Sequence, residues 1–348
     1  MAESKKYFAG LDIGGTTVKS MLVDDSGDAF GEMLEVRSHV DEGFRRTFEQ
    51  LIAAVDGLCE ANGVSRGQLA GVGLDVPAPC CEGVIWSKAN LAQDWVGVNI
   101  AKEFEEVIGV PLYMTNDGNA AAAGEYAVRP DHTGSLLLAA PGTGLAGGLV
   151  LPGGRIYEGA NGLSLEVGHN SVPFREDDGS LPKCTCGQEG CVEAWVSLMA
   201  LRRRLGLELE KKKWADHVLH EDDAPISEKA FRLRDLAQDG DELSIEIFKQ
   251  QGFIFGHALA DLARLFDPGL IVIGGGLAES SFRDQYLEWI MEGFESRAWP
   301  IYLKSPIDSE QVTTDFQWAM GGDSAAALGM AFEARMMFGG LGGKLAGS

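Results

Sequence analysis

The sequence predicts an α/β protein built from two similar domains, and three observations carry that prediction. Apolar strand-like runs alternate with segments whose apolar residues recur at helical spacing along most of the 348 residues. The layout of residues 8–25, FAGLDIGGTTVKSMLVDD, returns at 136–153, LLLAAPGTGLAGGLVLPG, as an apolar strand, a Gly/Thr turn, a second apolar strand and another turn. Three glycine-rich turns, at 12–19, 141–148 and 273–280, are each attached to an apolar strand. Two copies of one α/β unit imply a cleft between them.

Taken in order, residues 7–12 and 17–23 read as strands around IGGT, with a turn at DDSGD. Residues 43–61 place Phe44, Phe48, Leu51, Ile52, Val55 and Leu58 at helical spacing. LAGVGLDVP (69–77) reads as a buried strand ending in a proline-rich loop, and VPLYMTND (110–117) as a strand running into the helix former GNAAAAGEYA. After residue 134 the pattern restarts. Residues 193–265 read as mostly helical, with an Arg/Lys-rich exposed face at 202–213. PGLIVIGGGLAES (268–280) is a buried strand ending on three glycines, and 322–338 is a late amphipathic helix. The tail 339–348, GGLGGKLAGS, has nothing to bury and is expected to be flexible.

Composition narrows the function classes. Hydrophobic and charged contents of 45% and 23% are globular values, which argue against wholesale disorder. No window approaches the apolar length of a membrane span, and MAESKKYFAGLDIGG lacks the pattern of a signal peptide, so a cytoplasmic protein is expected. A net charge of −23 repels nucleic acid at long range. It leaves room for a small anion, because glycine loops and helix N-termini bind phosphate locally. The acidic run HEDDAP (220–225) reads as a solvated loop.

The three turns DIGGTTVK, PGTGLAGG and IGGGLAES are candidate phosphate or nucleotide loops. Glycine lets backbone N–H groups approach phosphate oxygens, Thr16 and Thr143 add hydroxyls, and Lys19 adds a charge. None has the spacing of a P-loop or a dinucleotide fingerprint, and each alone could be a plain turn. Three together favour a nucleotide. Asp117, where a strand becomes a helix, reads either as a helix cap or as a general base for a hydroxyl attacking a phosphoryl group, with Asn116 orienting that hydroxyl.

His169, Cys184, Cys186 and Cys191 form a Cys₃His set. That number and type of donors suits tetrahedral zinc with no open position, hence a structural metal, and Gly187 and Gly190 permit the tight turns between ligands. A disulfide is disfavoured by a reducing compartment. Glu166 and Glu193 bracket the knot and read as acceptors for sugar-like hydroxyls, while Cys59, Cys80 and Cys81 read as core packing.

The motifs LDIGGTTVK, KANLAQDW, TNDGNAAAAGE, GTGLAGG, GANGLSLEVGH, CTCGQEGCVEAW and IVIGGGL strongly resemble the ROK family of repressors, open reading frames and sugar kinases, within the actin/hexokinase-like ATPase superfamily. The resemblance runs from about residue 7 to 337. It implies two ribonuclease-H-like domains around a central cleft: 1–125 plus 320–338 as the smaller, and 126–319 as the larger, with the zinc loop and the dimerisation surface. It implies ATP with Mg²⁺, structural Zn²⁺, and phosphorylation of a hexose 6-hydroxyl, with Asp117 as catalytic base. Asn90, Asn116, Asp117, Glu166, His169 and Glu193 would hold the sugar, His169 giving one ring nitrogen to it and one to zinc. Gly14, Gly15, Thr16, Lys19, Gly142, Thr143, Gly144, Gly274, Gly275 and Gly276 would line the ATP site.

The expected activity is therefore that of a glucokinase, with fructokinase or N-acetylhexosamine kinase as the near alternatives. A homodimer or homotetramer is expected, without nucleic-acid or membrane partners. Family repressors carry a helix-turn-helix before the kinase-like part, for which the first strand near residue 7 leaves no room; a silent sugar-binding protein is the other non-enzyme alternative. The chain departs from the family pattern in three places. Gly118 stands for the usual alanine, GLDVPAPCCEGVIW is unlike the usual Gly-Pro-Gly loop, and LSLEVGH lacks the usual Ala-Gly before the Glu.

Overall fold

The computed structural model describes residues 5–89, 91–221, 223–305, 307 and 312–340. Strands β1 (Tyr7–Ile13), β2 (Thr17–Asp24) and β3 (Ala29–Arg37) lead into helix α1 (Phe44–Ala61), then β4 (Leu69–Val76), the short β5 (Cys80–Cys81) and β6 (Val84–Ile85), α2 (Ile100–Ile108), β7 (Leu112–Asn116) and α3 (Asp117–Ala127). The chain continues through β8 (Leu136–Pro141), β9 (Leu145–Leu151), β10 (Arg155–Ile156), α4 (Glu193–Val196), α5 (Leu198–Leu209), α6 (Ile226–Gln238) and α7 (Glu242–Phe266). It ends with β11 (Leu270–Ile273), α8 (Arg283–Arg297), α9 (Pro300–Leu303), β12 (Asp315–Trp318) and α10 (Ala325–Phe338).

Among the described residues, two five-stranded sheets have the orders β3-β2-β1-β4-β7 and β10-β9-β8-β11-β12. Numbered within itself, each runs third, second, first, fourth, fifth, so the sequence repeat between 8–25 and 136–153 is a repeat of sheet order. Both sheets are mixed. In the first, β1 pairs antiparallel with β2 and parallel with β4, which pairs parallel with β7; in the second, β9–β10 is antiparallel and β11–β12 parallel. The parallel pairs need crossover connections, which α1 and α2 supply in the first sheet.

The chain divides into two compact units: Met1–Leu138 with Gly148–Leu165 and Met320–Ser348, and Ala139–Gly147 with Glu166–Ala319. In the first unit, Phe44, Phe48, Leu51, Val55 and Leu58 of α1 are buried in one core with Leu11, Val72 and Leu74, as their spacing predicts. Cys59 and Cys80 belong to that core too, whereas Cys81 is only partly buried. Helix α10 packs against β1 and β4 at positions where glycine is required: a Cβ on Gly10 would lie 1.9 Å from Ala327 O, and one on Gly73 2.1 Å from Met330 O. Instead of the expected amphipathic stripe, α10 buries Ala325, Ala327, Gly329, Met330, Ala331, Glu333 and Ala334 around most of its circumference, because α3 packs on it as well as the sheet. The Glu125 carboxylate on α3 accepts from Met320 N at 2.9 Å and Gly321 N at 2.8 Å, and it pairs with Arg129.

In the second unit, the basic segment 202–213 is not a simple solvated face. Arg204 is nearly buried and bridges Glu176 at 2.8 Å and Glu208 at 2.7 Å, and Arg203 pairs with the same Glu176 and donates to Ala194 O at 2.8 Å. These charges tie the 170s loop to α5. Among the described residues, no helix is long and apolar enough to cross a membrane. Residues 341–348 of the expected flexible tail lie outside the described residues.

Candidate active site and metal centre

In the first unit, β7 delivers Asn116 and Asp117 to the start of α3. The helix cap is Asn116, whose Oδ1 accepts from Asn119 N at 2.8 Å. Capping is thus not the role of Asp117, and the alternative reading of that carboxylate loses its basis. Asp117 is open to solvent, yet loss of solvation raises its carboxyl above the ordinary value of 3.8, opposed by the Gly118 N–H it accepts from. A base with a raised pKa is better matched to proton transfer near neutral pH.

The Gly14–Thr16 turn joins β1 and β2, with Gly14 N bonded to Thr17 O at 2.8 Å and Gly15 and Thr16 exposed at the tip. Lys19 lies 3.5 Å from Asp323 and opposite Asp12 across the β1–β2 pair, so its charge is already shared with two acids. Asn90 lies outside the described residues.

In the second unit, the structure brings the other two glycine loops together. Gly142 and Thr143 line a cavity of about 150 Å³ with Gly276, Ser197, Arg234 and Phe248. Sequence reading missed the last three, which reach the cavity from α6, α7 and the start of α5 and carry no local motif. Gly274 N donates to Ala139 O at 3.1 Å. Gly275 has φ +78°, and a Cβ there would lie 1.9 Å from Pro141 O. Gly275→Ala should therefore displace the two loops, with left-handed backbone alone costing about 1–2 kcal/mol; a thermal melt and nucleotide titration of the variant check this.

Gly144 is different in kind, since a Cβ there would meet Glu193 Oε2 at 2.6 Å. Among the expected phosphate glycines, it makes room for a carboxylate. A larger side chain at 144 should disturb Glu193, so sugar binding should suffer along with nucleotide binding in Gly144→Val.

The metal candidate is compact. His169, Cys184, Cys186 and Cys191 place one ligand atom each within 4.8 Å of all the others. Cys186 Sγ and Cys191 Sγ are 3.7 Å apart, and Cys184 Sγ and His169 Nδ1 3.6 Å. Tetrahedral zinc with Zn–S of about 2.3 Å and Zn–N of about 2.0–2.1 Å requires about 3.8 Å and about 3.6 Å for these two separations. These two separations suit tetrahedral zinc, and the Cys₃His cluster is compatible with a structural zinc site. Gly187 and Gly190, at φ +89° and +77°, make the turns between ligands, and bridges Ser171–Cys191 and Lys183–Glu189 stitch the loop. All six cysteines are free thiols.

The knot holds the flanking acids. Glu193 opens α4, and its carboxylate accepts from Leu145 N at 3.0 Å and from Thr185 Oγ1 at 2.8 Å, with Cys184 Sγ at 3.5 Å. Thr185 sits between Cys184 and Cys186 of the cluster, so whatever orders the knot orders Glu193. Sequence reading did not find Thr185 or Leu145, because these contacts depend on chain reversal rather than spacing. His169 turns Nδ1 toward Cys184 and Nε2 toward Glu166 Oε2, 4.0 Å away. One ring nitrogen thus faces the thiols and the other an acid. Leu165, just before Glu166, has φ +63°. It adopts a left-handed conformation that glycine would take without strain.

A family model for the ROK family matches residues 8–336. Glucokinase of Thermotoga maritima is 30% identical over 83% of this chain and 90% of that protein, and glucokinase of Halalkalibacterium halodurans 29% identical over 85% and 88%. The xylose repressor of Bacillus spizizenii also matches, at 25% identity over 84% of this chain and 70% of the repressor. The crystal structure of a ROK hexokinase from Thermus thermophilus has a TM-score of 0.74 at 28% identity, covering 95% of this chain and 99% of that one. A ROK glucokinase from Streptomyces griseus in complex with glucose and AMPPNP has a TM-score of 0.68 at 27% identity, with the same coverage. With its repeated α/β sheet order, its Cys₃His cluster and a family match across nearly its whole length, the chain belongs to the ROK family.

Proposed function

We propose that the protein is an ATP-dependent hexose kinase that phosphorylates the 6-hydroxyl of glucose in the cytoplasm. The observation that carries this reading is Asp117: an accessible carboxylate of raised pKa at a strand end, relieved of capping by Asn116. Asp117 would take the proton as the sugar oxygen forms its bond to the γ-phosphorus and the bond to ADP breaks. Glu193, His169 and Glu166 would hold the sugar hydroxyls, and Asn116 would orient the attacking one. The Gly14–Thr16 turn, the Gly142–Gly144 loop and Gly274–Gly276 would bind ATP.

Mg²⁺ carried on the ATP would neutralise charge on the transferring phosphoryl group. Zinc in the knot would supply a fixed cross-link and no reactive position.

The glucokinase relatives favour glucose, while GLDVPAPCCEGVIW leaves room for fructose or an N-acetylhexosamine. A coupled assay with ATP across glucose, fructose, mannose, N-acetylglucosamine and N-acetylmannosamine decides. Glucose should have the highest kcat/KM. Preference for another sugar reassigns the substrate, and sugar binding without turnover on any of them replaces the kinase with a silent sugar-binding protein.

A further inference from the structure

Directly opposed residues form a row across the first sheet: Glu35 on β3, Lys19 on β2, Asp12 on β1, Asp75 on β4 and Thr115 on β7. Opposed residues share one face of a sheet, so two acids stand side by side where β1 enters the Gly14–Thr16 turn. Asp75 has no accessible surface. Its Oδ1 accepts from Ile13 N at 3.2 Å, while its Oδ2 is buried with no donor in reach. The neighbour in contact with that carboxyl is the Asp12 carboxyl. None of the roles assigned so far uses Asp75.

An ionised Asp75 would leave a buried oxygen unsatisfied beside a second carboxylate, an arrangement that is costly twice over. A proton on Oδ2 removes both costs, because the oxygen becomes a donor and the Asp12 carboxylate its acceptor. The surroundings decide which acid holds the proton. Asp12 is only partly buried and is faced by Lys19, with Asp117 and Asp323 nearby. Asp75 is faced by Asp12, Asp117 and the thiol of Cys80.

We infer that Asp75 is a neutral carboxylic acid that positions the first phosphate loop, its Oδ1 holding Ile13 N–H and its Oδ2–H donated to Asp12. What the loop binds rests on the kinase reading above; the proton on Asp75 does not. Burial, then the charges of Asp12 and Asp117, hold the Asp75 carboxyl well above its ordinary 3.8. The folded chain thus keeps a proton that the unfolded chain has lost. Its contribution to stability falls as pH rises from 3.8 toward the raised value. Asparagine at 75 keeps one acceptor and one donor with nothing to titrate.

The test uses the full chain as Asp75→Asn and Asp75→Ala, with melting temperatures at pH 5, 6.5 and 8 and titration of AMPPNP without sugar. Asp75→Ala should weaken the nucleotide about tenfold while sugar affinity stays within about twofold, and Asp75→Asn should restore nucleotide affinity to within about threefold of wild type. The Tm of Asp75→Asn relative to wild type should rise steadily from pH 5 to pH 8. Equal loss in both variants would mean that the ionised carboxylate is required, and a Tm difference that does not change with pH would mean that Asp75 carries no proton; either overturns the inference. The Asn series decides even if Asp75→Ala does not fold. A wild type that binds no nucleotide removes the loop's function, and the positioning role with it, while the Tm series still reports the proton.

Discussion

Asp117→Asn should fold, bind hexose and ATP with affinities close to wild type, and lose about 10²–10⁴-fold in turnover. Asparagine fills the same volume and can still accept from Gly118 N, but it cannot take the hydroxyl proton. The sign of the pKa shift predicts the stability as well. Because the folded-state value is raised, the carboxylate's ionisation opposes folding once pH exceeds 3.8, so the neutral amide should melt no lower than wild type at pH 7. In wild type, kcat should fall toward acid with a midpoint above 3.8. The residual rate of the variant should lack that limb. Near-normal turnover in Asp117→Asn would remove this carboxylate from the chemistry.

Purified protein should carry about one tightly held zinc, and Cys184→Ala or prolonged chelation should remove it. The effect on function should exceed the effect on the fold. Thr185, held between Cys184 and Cys186, donates to Glu193, and Cys184 and Glu166 flank the two nitrogens of His169. Loosening the knot thus frees two groups assigned to the sugar at once. Hydrogen bonds to charged groups contribute about 1.5–3 kcal/mol each, so loss of even one implies about 10- to 100-fold weaker sugar binding. Global melting should fall later, because α5 remains tied to the 170s loop through Glu176, Arg203 and Arg204. Metal analysis with sugar titration before and after chelation is the measurement. Zinc-free protein with unchanged sugar affinity would refute the role of the knot.

Elements that bury a strong local pattern were legible in the sequence. β1, β2, α1 and β4 lie within one residue of the spans read from YFAGLD, TVKSMLV, residues 43–61 and LAGVGLDVP. Strand β3 was not, because AFGEMLEVR lies at a sheet edge with only part of its side chains covered, and the alternation that marks a half-buried strand is blurred. The short β5, β6, β10 and β12 have too few residues for any period, and partners elsewhere in the chain define them. At the candidate site, the clustering of His169, Cys184, Cys186 and Cys191 could be read from donor type and spacing. The hold of Thr185 and Leu145 on Glu193, and the Lys19–Asp12–Asp75–Thr115 row, could not. They arise from strand register and chain reversal, which no local window contains.

The bond between Glu125 and Met320 spans 195 residues of chain. At synthesis rates of about 5–20 residues per second, α10 leaves the ribosome about 10–40 s after α3. Until then the α10-facing side of β1, β2 and β4, with Phe8, Gly10, Val23 and Gly73, lacks the helix that covers it. The nascent N-terminal segment should therefore wait with apolar sheet surface available to chaperones or to neighbouring chains on the same polysome. Premature termination before residue 325 should give an insoluble fragment rather than a smaller working domain.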